Sequence, residues 1–293
     1  QAKGINIIAL SLGEPDFDTP EFIKEAAKKA IDDNFSHYTP VPGLPELRSS
    51  ISAKFKRDNH LEYTPDQIVV STGAKQSLAN VCLSLLDPED EVLLPCPYWV
   101  SYAEIIKLAE GVPVEIKSTI DSDFKITPSQ LEASITSRTK MIMFSSPCNP
   151  SGTVYTQSEL EAIAKMLDKY PNIYIVSDEI YEHINFTDKH YSIGTIPSMK
   201  DRTVTVNGVS KGFAMTGWRV GFIGAPLWIA KACNKIQGQV TSATCAIAQK
   251  ATERAMLAEP RSTTKEMKET FLKRRNMLVS LLKDIPGIKC NIP

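Results

Sequence analysis

The chain has 293 residues, enough for one large domain or one and a half, with 33 Lys+Arg against 34 Asp+Glu and a net charge of −1. Charges of both signs are interspersed, which argues against a nucleic-acid surface or a polybasic membrane contact. The six cysteines form no C-x-x-C pair and the four histidines are not spaced with them, so no metal site is expected and reduced thiols in the cytoplasm are. No apolar run reaches the length of a membrane span, and no signal-peptide pattern stands at the start.

In chain order, Ile5 to Leu12 reads as a strand. Glu21 to Asn34 has apolar residues at helical spacing, with Pro20 at its start and Thr19 as the expected N-cap. The stretch His37 to Pro45 holds three prolines and a glycine, an extended loop from which Tyr38 can reach a second subunit. Pro45 to Asn59 is a second helix. Short apolar strands follow at Gln67 to Ser71, Glu91 to Pro95, Pro113 to Lys117, Lys140 to Ser145, Ile173 to Ser177 and Thr203 to Asn207. Helices fall between them at Gln76 to Leu86, Val100 to Ala109 and Gln157 to Lys169. Beyond Pro226 the chain reads as helical, over Ile229 to Ala258 and Thr263 to Lys283. Strands alternating with helices predict an α/β fold, a mostly parallel sheet covered on both faces.

Ligands of such sheets bind beyond the carboxyl ends of the strands, and five polar clusters fall there. Thr72-Gly73-Ala74-Lys75 opens a helix, where free N–H groups suit a phosphate; many strand–helix turns look the same. Cys96-Pro97-Tyr98-Trp99 offers a ring able to stack on a planar ligand or to sit in the core. Asn149-Pro150-Ser151-Gly152 is a rigid turn that can aim one amide. Asp178 follows a buried strand, as a cap or as the partner of a protonated heteroaromatic nitrogen, with Tyr181 three residues on. The run Asn207 to Gly221 sets Lys211 among small residues with Arg219 eight positions later. A lysine so placed can form a Schiff base with a carbonyl compound, reacting as the neutral amine, while the arginine suits a phosphate.

These residues together resemble the pyridoxal-phosphate-dependent aminotransferases of class I/II, fold type I, and within them the bacterial aspartate aminotransferase branch, whose members also use prephenate. The motifs are Leu12-Gly13-Glu14-Pro15-Asp16-Phe17, Tyr38-Thr39-Pro40 with Gly43-Leu44-Pro45-Glu46-Leu47-Arg48, Pro97-Tyr98-Trp99-Val100-Ser101-Tyr102, Asn149-Pro150-Ser151-Gly152, Ser177-Asp178-Glu179-Ile180-Tyr181, and the Lys211 to Arg219 run. The resemblance spans nearly the whole chain. It implies a three-layer α/β/α fold with a mostly parallel mixed sheet and a partial small α+β domain: residues 1–18 in the small domain, 19–262 as the large cofactor domain, 263–293 as the start of the C-terminal small domain.

The resemblance also implies roles. Lys211 would bind pyridoxal 5′-phosphate and move the proton, Asp178 would pair with the ring nitrogen, and Tyr181 and Asn149 would contact the ring's phenolic oxygen. Trp99 would stack on the ring. Gly73, Ala74, Ser210 and Arg219 would surround the phosphate with Tyr38 of a partner subunit, in a homodimer with shared sites. Gly13, Trp99 and Asn149 would touch substrate, and Lys75, beside the phosphate loop, would meet a distal carboxylate, favouring aspartate as amino donor and 2-oxoglutarate as acceptor. Rival readings are an aromatic or prephenate aminotransferase, a carbon–sulfur lyase of the same fold, and a non-catalytic regulator on this scaffold. Three features depart from the family's pattern. Cys148 stands where another polar residue is frequent, and Gly208 where some relatives have serine. Both ends read as interior to a longer polypeptide, without the family's arginine for the substrate α-carboxylate.

Overall fold

A computed structural model describes Gly4 and residues 13–187, 189–257 and 260–293, the last with side chains from Thr264 onward. The strand expected over Ile5 to Leu12, and Ala258 at the end of an expected helix, lie outside these residues. One seven-stranded sheet has the order β1-β7-β6-β5-β4-β2-β3. Its strands are β1 (Ile68–Ser71), β2 (Glu91–Pro95), β3 (Val112–Ile116), β4 (Thr139–Ser145), β5 (Tyr174–Asp178), β6 (Thr203–Gly208) and β7 (Gly221–Gly224). β7 alone runs antiparallel, between β1 and β6; the other pairs are parallel. The sheet is therefore mixed but mostly parallel, as expected, and the carboxyl ends of β1, β2, β4, β5 and β6 share one edge.

The helices are α1 (Glu21–Asp32), α2 (Pro45–Asn59), α3 (Ala74–Leu85), α4 (Ser101–Leu108), α5 (Pro128–Ala133), α6 (Gln157–Leu167), α7 (Leu227–Val240), α8 (Ala246–Leu257) and α9 (Pro260–Lys283). Their ends follow local chemistry. α2 starts on Pro45, whose fixed φ suits the first turn, and stops where His60 turns left-handed at φ 56°. α5 and α6 each begin with a capping box, Thr127 with Gln130 and Thr156 with Glu159.

Successive strand residues point to opposite faces, and the core divides accordingly. Val69, Leu94, Met143, Val176, Val206 and Ile223 pack under α3, α4 and α7. Ile68, Val70 and Phe222 face the other way, under α1, α2 and α8. Leu93, Ile142, Phe144 and Ile175 pack under α5 and α6. Helices thus cover both faces, the expected three layers.

Four details differ from the expectations, the first being the six-residue α5, which was not foreseen. β7 was not foreseen: it is four residues long with a glycine at each end, and glycine weakens a strand signal. The long helix over Ile229 to Ala258 is two helices, broken at residues 241–245, where Thr244 Oγ1 donates to Arg219 O (3.3 Å) and contacts Thr72 Oγ1 (3.2 Å). Thr19 does not cap α1, whose N-cap Pro20 has no side-chain bond. Its hydroxyl instead donates to Ala214 O (2.8 Å) and accepts from Trp218 Nε1 (3.2 Å), tying the start of α1 to the loop after Lys211.

Candidate active site

The shared strand edge gathers all five clusters. At β1 the chain leaves the sheet through Gly73, at φ 83°, where a Cβ would lie 2.3 Å from Arg219 Nη2. Only glycine allows that guanidinium to lie against the first turn of α3, where a helix leaves its initial N–H groups without intrahelical partners. Gly221 makes a second close approach: a Cβ there would stand 2.1 Å from Ala74 N, so β7 rests directly on the start of α3. Arg219 is itself left-handed (φ 56°), a conformation that costs energy in a non-glycine residue. It is held by its own Nη1 bond to Thr216 O (2.9 Å) and by Thr244. Arginine, helix N-terminus and glycine turn form an anion seat. Ser210 is buried in the turn before Lys211.

Asp178 ends β5 and is buried. Its Oδ1 accepts from Ile180 N (3.2 Å) and its Oδ2 from the Tyr102 hydroxyl (2.7 Å). Burial pushes its carboxyl up to about 6, against the pull of those two bonds, and the neighbouring Glu179 charge adds to the rise. Tyr181 sits beside it, its hydroxyl 3.4 Å from Asn149 Nδ2. Burial, then the Asp178 charge, pushes that phenol up to about 12, so it remains a hydrogen-bond donor.

Lys211 is half-buried; its Nζ donates to Gly13 O (2.7 Å) and lies 5.7 Å from the Tyr181 ring centre. Burial lowers its pKa, Glu14 opposes and Arg219 assists, which favours the neutral amine. Lys75 is exposed, its Nζ 4.8 Å over the Trp99 ring, a cation–π contact. Trp99 in turn meets Tyr102 edge-on, with ring centres 5.6 Å apart. Gly13, Gly73, Ala74, Lys75, Trp99, Asn149, Asp178, Tyr181, Ser210, Lys211 and Arg219 thus lie at one sheet edge.

Tyr38 stands apart, 97% exposed. Its loop is nonetheless pinned. Fully buried Gln237 donates to Val41 O and Val70 O (both 2.8 Å) and accepts from Ser71 Oγ and Asn80 Nδ2. Gln249 holds Thr39 Oγ1 (2.9 Å) and Leu44 N (2.7 Å).

Tyr102, within the Pro97 to Tyr102 motif, carries no role legible in the sequence. A buried network directly after Asp178 was also not foreseen. Lys54 bonds Glu182 and Asn59, Asn59 bonds Glu182, and Glu179 takes Ser177, Ser192 and His190. Burial works to raise Glu182, but Lys54, His183 and His190 hold it well below the usual carboxylate range. Glu179, Glu182 and His190 each bring one ligand atom within 4.8 Å of the others, and Lys54 already supplies the cation among them. The signal available was a lysine inside a helix whose neighbours are core residues.

A sequence model of the family described as aminotransferase class I and II matches residues 5–293. The aspartate/prephenate aminotransferase of Cereibacter sphaeroides is 46% identical over 294 residues, covering 100% of this chain and 73% of the relative. That of Nitrosomonas europaea is 48% identical over 292 residues, covering 99% and 73%. Among solved structures, the aspartate aminotransferase from Rhizobium meliloti superposes with a TM-score of 0.97 at 42% identity, covering 100% of this chain and 73% of that one. The aromatic aminotransferase from Pyrococcus horikoshii gives 0.95 at 39%, covering 98% and 77%.

Proposed function

Because this chain belongs to the class I and II aminotransferases, enzymes that move amino groups between amino acids and oxo acids, we propose that it does so with pyridoxal 5′-phosphate, using aspartate as donor and 2-oxoglutarate as acceptor. The observation that carries the cofactor is the cradle itself: a glycine turn shaped around Arg219 at one end, a buried carboxylate at the other, and a half-buried amine between. A flat, phosphorylated pyridine aldehyde has the matching anion, ring nitrogen and carbonyl.

When bound, the cofactor serves as an electron sink for the carbanion left by loss of the α-proton. The protein's residues do the rest. Arg219, Ser210, Gly73 and Ala74 hold the phosphate. Asp178 supplies the anion that keeps the ring nitrogen protonated, and Tyr181 with Asn149 holds the phenolic oxygen. Trp99 covers the ring. Lys211 Nζ, whose lowered pKa makes it available as a base, would take up the substrate's α-proton and hold it at the amine. Gly13, Trp99 and Asn149 border the substrate, and Lys75 faces its distal carboxylate.

Aspartate is supported by its place in the names of the relatives and by Lys75 beside the phosphate loop. Prephenate as an alternative acceptor rests on the same names. The same reading makes the protein a homodimer: Tyr38 projects from a pinned loop, and Val100 and Leu108 are 75% and 70% exposed. It also divides the chain at residues 18 and 262, supported by Asp16 and Phe17, which pack on Arg274 and Phe271 of α9. Among the described residues no helix is long and apolar enough to cross a membrane; the same reading makes the protein a cytoplasmic enzyme. Single-turnover absorbance spectra of the cofactor-loaded protein test the proposal. Aspartate should convert the cofactor to its amine form faster than glutamate or phenylalanine, with an oxo acid released, and prephenate should reverse the change. Elimination products, or no half-reaction with any amino acid, would overturn it.

A further inference from the structure

We propose that Tyr102 is a positioning residue for Asp178: its hydroxyl holds one carboxylate oxygen in place and keeps that group an anion at the sheet edge. The inference deepens the reading of Asp178 as the counter-charge of the cofactor ring, and rests on that reading for its functional meaning.

The geometry is specific. Tyr102 is the second residue of α4 and is 1% exposed, among the largest fully buried side chains of the described residues. It reaches from the helix layer to the carboxyl ends of two neighbouring strands, because Ser145 of β4 and Asp178 of β5 are register partners. Its hydroxyl donates to Asp178 Oδ2 at 2.7 Å and lies close enough to Ser145 for that side chain to influence its acidity. Trp99, packed edge-on against its ring, limits its movement. A buried tyrosine needs a partner for its hydroxyl, but it could take a backbone carbonyl; here it takes the one carboxylate at the centre of the site.

The consequence follows from burial. Removed from water, Asp178 is driven toward its neutral form. The groups acting on it are few. Tyr102 from α4 and the Ile180 N–H stabilise the anion; Glu179, from the same strand end, opposes it, and the nearby Tyr181 stays protonated. Cys148 lies near Tyr102 from the loop after β4. Among these, Tyr102 is the one side chain that donates a hydrogen bond to the carboxylate. Without it, Asp178 would hold its proton closer to neutral pH and would pair less fully with a protonated ring nitrogen there.

The test reads the carboxyl carbon of Asp178 by NMR in the full, ligand-free chain labelled with carboxyl-13C aspartate, assigned by its loss in Asp178→Asn. In Tyr102→Phe the titration midpoint should move up by about one to two pH units, the equivalent of one hydrogen bond to a charged group. Replacing Tyr102 by 3-fluorotyrosine keeps the shape and makes the hydroxyl a better donor; the midpoint should move down, an answer that stands even if Tyr102→Phe folds poorly. In the loaded protein, pyridoxal phosphate affinity near pH 7.5 should fall by up to about fourfold in Tyr102→Phe, as the ionised fraction of Asp178 falls, and recover as the pH is raised. An unmoved Asp178 midpoint in the variants that fold would overturn the proposal. A moved midpoint with unchanged cofactor affinity would instead overturn the reading of Asp178 as the ring's partner.

Discussion

Lys54–Glu182 and Arg274–Asp16 are both cation–carboxylate pairs that join distant parts of the chain, and they sit in opposite surroundings. The first is sealed behind the strand edge, its side chains 2% and 5% exposed; the second lies open on α9, at 47% and 61%. Arg274 makes the better-shaped contact, two parallel bonds of 2.6 and 2.9 Å to the two oxygens of Asp16. Shape does not decide its worth, because water competes for exposed charges and screens them. The Lys54 pair has no such competition, and Asn59 completes its bonding. The same division runs through the apolar residues. Those of β4 to β6 are sealed in the core, whereas Met277, Leu278 and Leu281 of α9 are each more than half exposed.

The largest effect is expected from Glu182→Gln. It leaves Lys54 charged and buried without its carboxylate, which should cost about 3–5 kcal/mol of stability, seen as a lower urea midpoint at unchanged slope. A loss under 1 kcal/mol would show that water reaches the network. Next is the pH dependence of the ligand-free protein. Burial raises Asp178 from 3.8 to about 6, so between those values the folded state binds more protons than the unfolded one. Its contribution is thus most favourable at low pH and is lost as pH rises through about 6, by up to roughly 3 kcal/mol. Subtracting the stability profile of Asp178→Asn from that of the parent should isolate this slope; parallel profiles would contradict it.

Lys75→Ala is smaller. Aspartate turnover at low concentration should fall about tenfold or more, the loss of one charged hydrogen bond, with phenylalanine little affected. Equal losses for both would place Lys75 with the cofactor or the fold. Smallest of all, Asp16→Asn should leave the unfolding midpoint unchanged within error, while a clear drop would mean that the contact of residues 13–18 with α9 is stronger than its exposure implies.

The strand edge was largely legible because its chemistry and its periodicity coincide. Apolar runs end in Gly73, Asn149, Asp178 and Lys211, and a parallel sheet brings such ends together. β7 escaped because its glycines, Gly221 close against Ala74 and Gly224 close against the Tyr63 ring, suppress the strand pattern. Thr19 looked like a cap because Ser, Thr, Asp or Asn before a helix usually is one, whereas its hydroxyl was taken by Ala214, 195 residues away in sequence. Lys54 and Tyr102 were invisible for the same reason. A charged or hydroxylated residue among core neighbours carries no local sign of the partner it meets, since Glu182 and Asp178 lie far along the chain.

Lys211 is the amine proposed to bind the cofactor. Borohydride reduction of the pyridoxal-phosphate-loaded protein, followed by peptide mapping, tests it most directly. The predicted result is a single cofactor label on Lys211, absent in Lys211→Ala; a label on Lys75 or Lys231, or one that survives the loss of Lys211, would contradict it.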